Sequence, residues 1–201
     1  MVEEDRLPPG AVVPRHAHRE GEIVTYVHEG ALAFQDALGR SGVIQSGEFQ
    51  TRSTRRGMRH SETNASRTDA AHVFQIWLRP AQGEIDPAAT QRRFSVAERR
   101  GALCVVASPD ARRSSLRIHQ DAVVYSALLD RGQHVVHELS DGRSAWLHLV
   151  QGEVTLGDLV LTTGDGVGVT AERALSLTAR EETEFLLLDV CAGSAHGERL
   201  A

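Results

Sequence analysis

The chain has 201 residues and a mass of 21.9 kDa, with 41% hydrophobic and 24% charged residues, enough for one large or two small domains with a true core. A net charge of −5 and a pI near 6.0 argue against a dedicated nucleic-acid binder, and no apolar run approaches the ~20 residues of a membrane helix. All 22 basic residues are Arg, which excludes a lysine Schiff base and a P-loop lysine.

The opening residues, Met1 to Arg6, are charged and carry no visible secretory leader. Cys104 and Cys191 are too few for a disulfide scaffold or a four-thiolate zinc site. They read as small buried hydrophobes in a reducing cytoplasm. In chain order, the pattern predicts strands over Glu22–His28, Ala31–Gln35, Val43–Ile44, His72–Leu78 and Leu103–Ser108. Further strands follow over Ala145–Val150, Glu153–Leu156, Leu159–Leu161, Ala174–Thr178 and Glu184–Val190. Ala88–Arg93 reads as a short turn of helix. Many short strands at even spacing point to a barrel or a sandwich.

An internal repeat divides the chain. Tyr26-Val27-His28-Glu29-Gly30 is matched by His148-Leu149-Val150-Gln151-Gly152, each an apolar strand ending in Gly. Ser46-Gly47-Glu48 follows the first copy and Thr163-Gly164-Asp165 the second. The first copy is longer by the hairpin Asp36-Ala37-Leu38-Gly39-Arg40. The join falls in polar sequence between Arg79 and Arg100, giving units 1–90 and 91–201.

Chemistry concentrates in the first unit. His16 and His18 sit at i and i+2, so in an extended segment both imidazoles face one side. His60 and Glu62 repeat that geometry. Three imidazoles and a carboxylate suit a first-row divalent metal. Glu22, close to the histidine pair, reads as an ordinary residue, as a group orienting a ligand or, least favoured, as a ligand itself. His28, His72, His134, His137, His148 and His196 have no ligand spacing and read as ordinary histidines, and His119 as a hydrogen-bonded structural one. Gly164-Asp165-Gly166-Val167-Gly168 lacks the strand–turn–helix context of a dinucleotide loop.

The stretch from Pro14 to Gly30 resembles the first cupin motif as pirins carry it, and Arg56-Gly57-Met58-Arg59-His60-Ser61-Glu62 resembles the second. Phe74-Gln75-Ile76-Trp77-Leu78, Ser108-Pro109-Asp110-Ala111 and Ile118-His119-Gln120-Asp121 are also pirin-like. The resemblance implies an all-β bicupin of two antiparallel barrels, with one metal in the N-terminal barrel and a degenerate C-terminal one. It implies His16, His18, His60 and Glu62 as ligands. The metal would be Fe(II), with Ni, Co, Mn, Cu or Zn as substitutes.

Counting from the repeat glycines places Glu138, Ser140, Leu177 and Ala179 at the second unit's ligand positions, so that set is lost. The resemblance further implies a quercetinase-type dioxygenase, cleaving flavonols or related phenolic or enolic compounds with dioxygen. Glu62 would be both ligand and proton acceptor. The alternative is a metal-dependent regulatory factor that binds a protein partner without catalysis. The family's usual N-terminal segment is missing before Glu3, and an edge left exposed would be covered by a partner chain or a second copy. Arg52, Arg55, Arg56 and Arg59 make the approach to His60 unusually cationic.

Overall fold

The computed structural model describes residues 1–18, 21–36, 39–54, 58–79 and 88–191, with side chains of 15–18, 54, 58 and 88 outside the description. The chain forms two compact units. One holds residues 1–98 and 105–121; the other holds 99–104 and the chain from 122 onward.

Among the described residues, the first unit's strands are β1 (Val2–Leu7), β2 (Val12–His18), β3 (Gly21–Glu29), β4 (Ala31–Asp36) and β5 (Ser41–Gln45). They continue with β6 (Glu48–Thr54), β7 (Met58–Asn64), β8 (Ala71–Leu78) and β9 (Ala88–Arg93). They make two antiparallel sheets, β1-β8-β3-β6-β9 and β2-β7-β4-β5. A helical turn, α1 (Val96–Arg99), precedes the short parallel pair β10 (Cys104–Ser108) and β11 (Leu116–Arg117).

In the second unit, β12 (Ala122–Leu129), β13 (His134–Glu138), β14 (Arg143–Gln151) and β15 (Glu153–Leu156) come first. Then come β16 (Leu159–Thr162), β17 (Gly166–Val169), β18 (Ala174–Ala179) and β19 (Thr183–Cys191). Here β12-β19-β14-β17 form one sheet and β13-β18-β15-β16 the other. The all-β expectation holds, and each unit is the two-sheet jelly roll of a cupin.

Alternation along the strands gives the five-stranded sheet two faces of different character. Register places Gln75, Thr25 and Gln50 in one row across β8, β3 and β6, and Ile23 beside Arg52 in the next. This face looks onto the four-stranded sheet, because Gln75 donates to Glu62 of β7. One end of the space between the sheets is apolar, built from Val27, Leu32, Ile44, Ala71 and Val73 with Leu7 and Phe34 packed against them. The other end is polar and buried. The opposite face carries an aromatic cluster, in which Tyr26 stacks on Phe49 at 4.3 Å between ring centroids and Phe94 meets Phe49 edge-on at 5.5 Å.

The repeat is real in three dimensions. Gly30 ends β3 as Gly152 ends β14, both with positive φ (75° and 94°). The ladder slips by one residue between Val27 and Glu29, and again between Leu149 and Gln151, the corresponding place. The extra hairpin is closed by Asp36, whose carboxylate accepts from the Arg40 backbone N–H (2.9 Å) and Nε (2.7 Å); Ala37 and Leu38 lie outside the described residues.

Two expectations need correction. Ala88–Arg93 is not helical: it pairs as β9 along β6, Ala88 opposite Ser53 through Arg93 opposite Glu48. A sheet edge with free hydrogen-bonding groups overrides weak local helix preference. Cys191 is exposed at the end of β19 and Cys104 half-buried, so neither is a fully buried hydrophobe; neither forms a disulfide.

Candidate metal centre

β2 and β7 run antiparallel, and His16 lies directly opposite His60 in the ladder, with His18 opposite Met58. A bulge between Val13 and His16 sets this register. The side chains of His16 and His18 are outside the description, as are Arg55, Arg56 and His196. The other two expected ligands are placed fully. His60 is 1% exposed and Glu62 6% exposed, and His60 Nε2 lies 3.5 Å from Glu62 Oε1. Phe34 and Asp36 of β4 pair with Glu62 and His60, so all four share one face of the four-stranded sheet. Asn64 anchors the end of β7, its amide donating to the carbonyls of Leu7, Pro8 and Asp69.

Glu62 is held from across the interior. Gln75 Nε2 donates to both of its oxygens, at 3.1 and 2.9 Å. That fixes the carboxylate plane while leaving lone pairs for a further partner. Gln75 is the residue that spacing alone does not find. Its signal is a lone polar residue within the apolar run of β8, which is buried on both faces.

Arg52 is a second surprise. It lies on β6, 5% exposed, its guanidinium carbon 3.8 Å from the centre of the Phe34 ring. Its Nε donates to Gln50 Oε1. Burial pushes its pKa below the usual arginine value; Glu62 and Asp36 oppose that shift, and Arg40 adds to it. Arg59, in contrast, is exposed.

Glu22 is neither ligand nor orienting group. It points to the face opposite Gln75, and its oxygens accept from the backbone N–H groups of His119 and Gln120, all at 2.8 Å. His119 Nδ1 completes the set at 2.7 Å, the structural role expected of that histidine. Three of the remaining histidines are engaged elsewhere. His72 bonds Glu4 at 2.8 Å, and burial lowers its pKa. His134 bonds Ser176, and His137 bonds Asp189 at 2.9 Å.

Ladder register also refines the comparison of the two units. Leu32, two residues after Gly30, pairs with Asn64; Val154, two residues after Gly152, pairs with Ala179. Phe34 pairs with Glu62 as Leu156 pairs with Leu177. The counterparts of Glu62 and His60 are therefore Leu177 and Leu175, not Ala179 and Leu177 as counting gave. Because His137 pairs with Leu175, it stands where His16 does, whereas Glu138 is exposed. Two leucines, each 0% exposed, replace the imidazole and the carboxylate.

A buried imidazole beside a buried, oriented carboxylate, with a second histidine opposite in the ladder, is a donor set that fits a divalent metal. Among the described residues, no helix is long and apolar enough to cross a membrane.

Known proteins resemble this chain over most of its length. A family model described as Pirin matches residues 1–78, and one described as Quercetinase C-terminal cupin domain matches residues 105–190. The chain is 37% identical over 190 residues to an Escherichia coli K12 protein named quercetin 2,3-dioxygenase, covering 94% of this chain and 81% of that one. It is 33% identical to a pirin-like protein of Caulobacter vibrioides, covering 92% and 80%. The crystal structure of the Escherichia coli bacterial pirin YhhW in complex with nickel(II) superimposes with a TM-score of 0.88 at 37% identity, covering 94% and 81% of the two chains. Two matched models, relatives spanned over most of their length and a shared fold give one assignment: the chain belongs to the pirin family.

Proposed function

We propose that this protein is a metal-dependent dioxygenase of quercetinase type, acting on a flavonol or a related phenolic or enolic compound. His16, His18, His60 and Glu62 would hold one divalent ion, iron(II) in the cell, with nickel, cobalt, manganese, copper or zinc as substitutes. The observation that carries this reading is the buried His60–Glu62 pair, 3.5 Å apart, with His16 opposite His60 in the ladder. The relatives named quercetin 2,3-dioxygenase and the nickel(II) complex of YhhW support it. Two cysteines outside any disulfide suit a cytoplasmic protein.

Such an ion, when bound, supplies open coordination positions at which an electron-rich substrate and dioxygen can meet. The protein's own groups do the rest. Glu62, held by Gln75, accepts the proton of the substrate hydroxyl, leaving the substrate as its more electron-rich anion. The packed apolar end of the interior, from Val27 to Val73, limits water on that side of the site.

The test is quercetin-dependent oxygen uptake and carbon monoxide release by protein reconstituted anaerobically with Fe(II). His60→Ala protein, treated identically, is the blank for free-metal oxidation. Uptake well above that blank is expected. Equal uptake by the two, at one metal per wild-type chain, would overturn the reading.

A further inference from the structure

Arg52 carries a feature the metal-centre reading does not use. Its guanidinium is fixed on two sides, by the Phe34 ring beneath it and by Gln50 at Nε. Gln50 is itself pinned, donating to Gln91 Oε1 at 3.0 Å. Both terminal nitrogens are buried, and among the described residues neither meets a hydrogen-bond acceptor. The carboxylates nearest in charge are already engaged, Asp36 with Arg40 and Glu62 with Gln75. A buried cation whose two terminal nitrogens make no hydrogen bond to the protein is costly unless an anion supplies the acceptors. Its place is specific: Phe34, on which it lies, pairs directly with Glu62.

We propose that Arg52 is an anion-binding residue of the substrate site, its two terminal nitrogens receiving a carboxylate carried by the substrate. The preferred substrate class is then a hydroxylated aromatic or enolic acid rather than a neutral phenol. The planar fork of a guanidinium matches a carboxylate in two parallel hydrogen bonds, and stacking on Phe34 sets the plane in advance. This rests on the metal-centre reading above, since the hydroxyl end of the same molecule would meet the ion held by His60 and Glu62.

The experiment is calorimetric binding to nickel(II)-loaded protein, with metal content measured on the same sample. The probes are 3,4-dihydroxybenzoate and its neutral counterpart, catechol. Wild-type protein should prefer the acid by about 10–100-fold, the range of charge-assisted hydrogen bonds in a buried site. Arg52→Met should remove that preference at one nickel per chain while leaving catechol affinity within about twofold. Arg52→Lys, which keeps the charge but not the fork, should retain part of it. Equal affinities for the two probes in the wild type, or a preference that survives Arg52→Met, would overturn the proposal. Wild-type protein that binds no nickel would instead overturn the metal-centre reading.

Discussion

Gln75 ties the carboxylate of Glu62 to the opposite sheet through one amide and two acceptors. Its removal tests whether Glu62 needs that anchor to bind metal. Gln75→Leu preserves volume but removes both hydrogen bonds from the opposite sheet to this buried carboxylate. Groups that orient a ligand commonly contribute 10–100-fold to metal affinity. Nickel affinity, measured by competition with a chelator, should fall by about that factor. An unchanged affinity would show that Glu62 is oriented by other contacts. At this scale the sequence showed half of the site. The i, i+2 pairs fixed which residues share a strand face, and the resemblance named them. Neither could say which strand lies across the interior, so Gln75 stayed invisible and Arg52 was read only as part of a cationic approach. Both gaps have one origin: distance along the chain reports facing direction, whereas partners across the interior depend on sheet packing.

Among the elements, the strands easiest to read were those with continuous apolar character, such as β8, β14 and β19, buried on both faces. β6 and β7 were missed because their inward residues are Gln50, Arg52, His60 and Glu62, a polar set that breaks the hydrophobic signal. The repeat glycines were read correctly and now have a physical cause. A Cβ on Gly30 would lie 2.6 Å from the Ala70 carbonyl oxygen, and one on Gly152 would lie 2.4 Å from that of Glu182. Both neighbours are backbone and cannot swing aside. Gly10 also has positive φ (68°), but nothing lies within 4 Å of its Cβ position. Gly10→Ala should therefore cost only the left-handed backbone penalty, about 1 kcal/mol. Gly30→Ala and Gly152→Ala should each cost about 2–4 kcal/mol, the same penalty plus displacement of a strand. Thermal unfolding of the three variants gives the comparison directly. Equal losses would mean that conformation alone, not close approach, selects glycine at these turns.

Across the whole molecule, the two units share a ladder plan and differ in what they bury. The first places His60 and Glu62 where the second places Leu175 and Leu177. His137, standing where His16 stands, is taken up by Asp189, which also accepts from Arg143 Nε. Burial raises the Asp189 pKa, but those two donors outweigh it and hold the carboxyl below its usual range. The second unit thus hydrogen-bonds the imidazole at the position of His16 to a carboxylate and places leucine at the positions of His60 and Glu62. Sequence counting reached this conclusion two residues out of register for the leucines and one for His137, because the spacing from turn glycine to strand differs between the units: His60 follows Gly47 by 13 residues and Leu175 follows Gly164 by 11. The asymmetry makes a prediction that needs no knowledge of the substrate. A metal that binds only the native first unit lowers the population of its open states, by about 2.7 kcal/mol when free metal is 100-fold above Kd. Hydrogen exchange with and without nickel(II) should therefore slow in peptides covering β2 and β7, by up to about 100-fold at that excess. Peptides covering β13 and β18 should exchange at unchanged rates, with one nickel bound per chain. Protection that rises equally in both pairs would place metal in the second unit or lock the two units into one unfolding event, and either result would remove the basis for assigning one metal to the first unit alone.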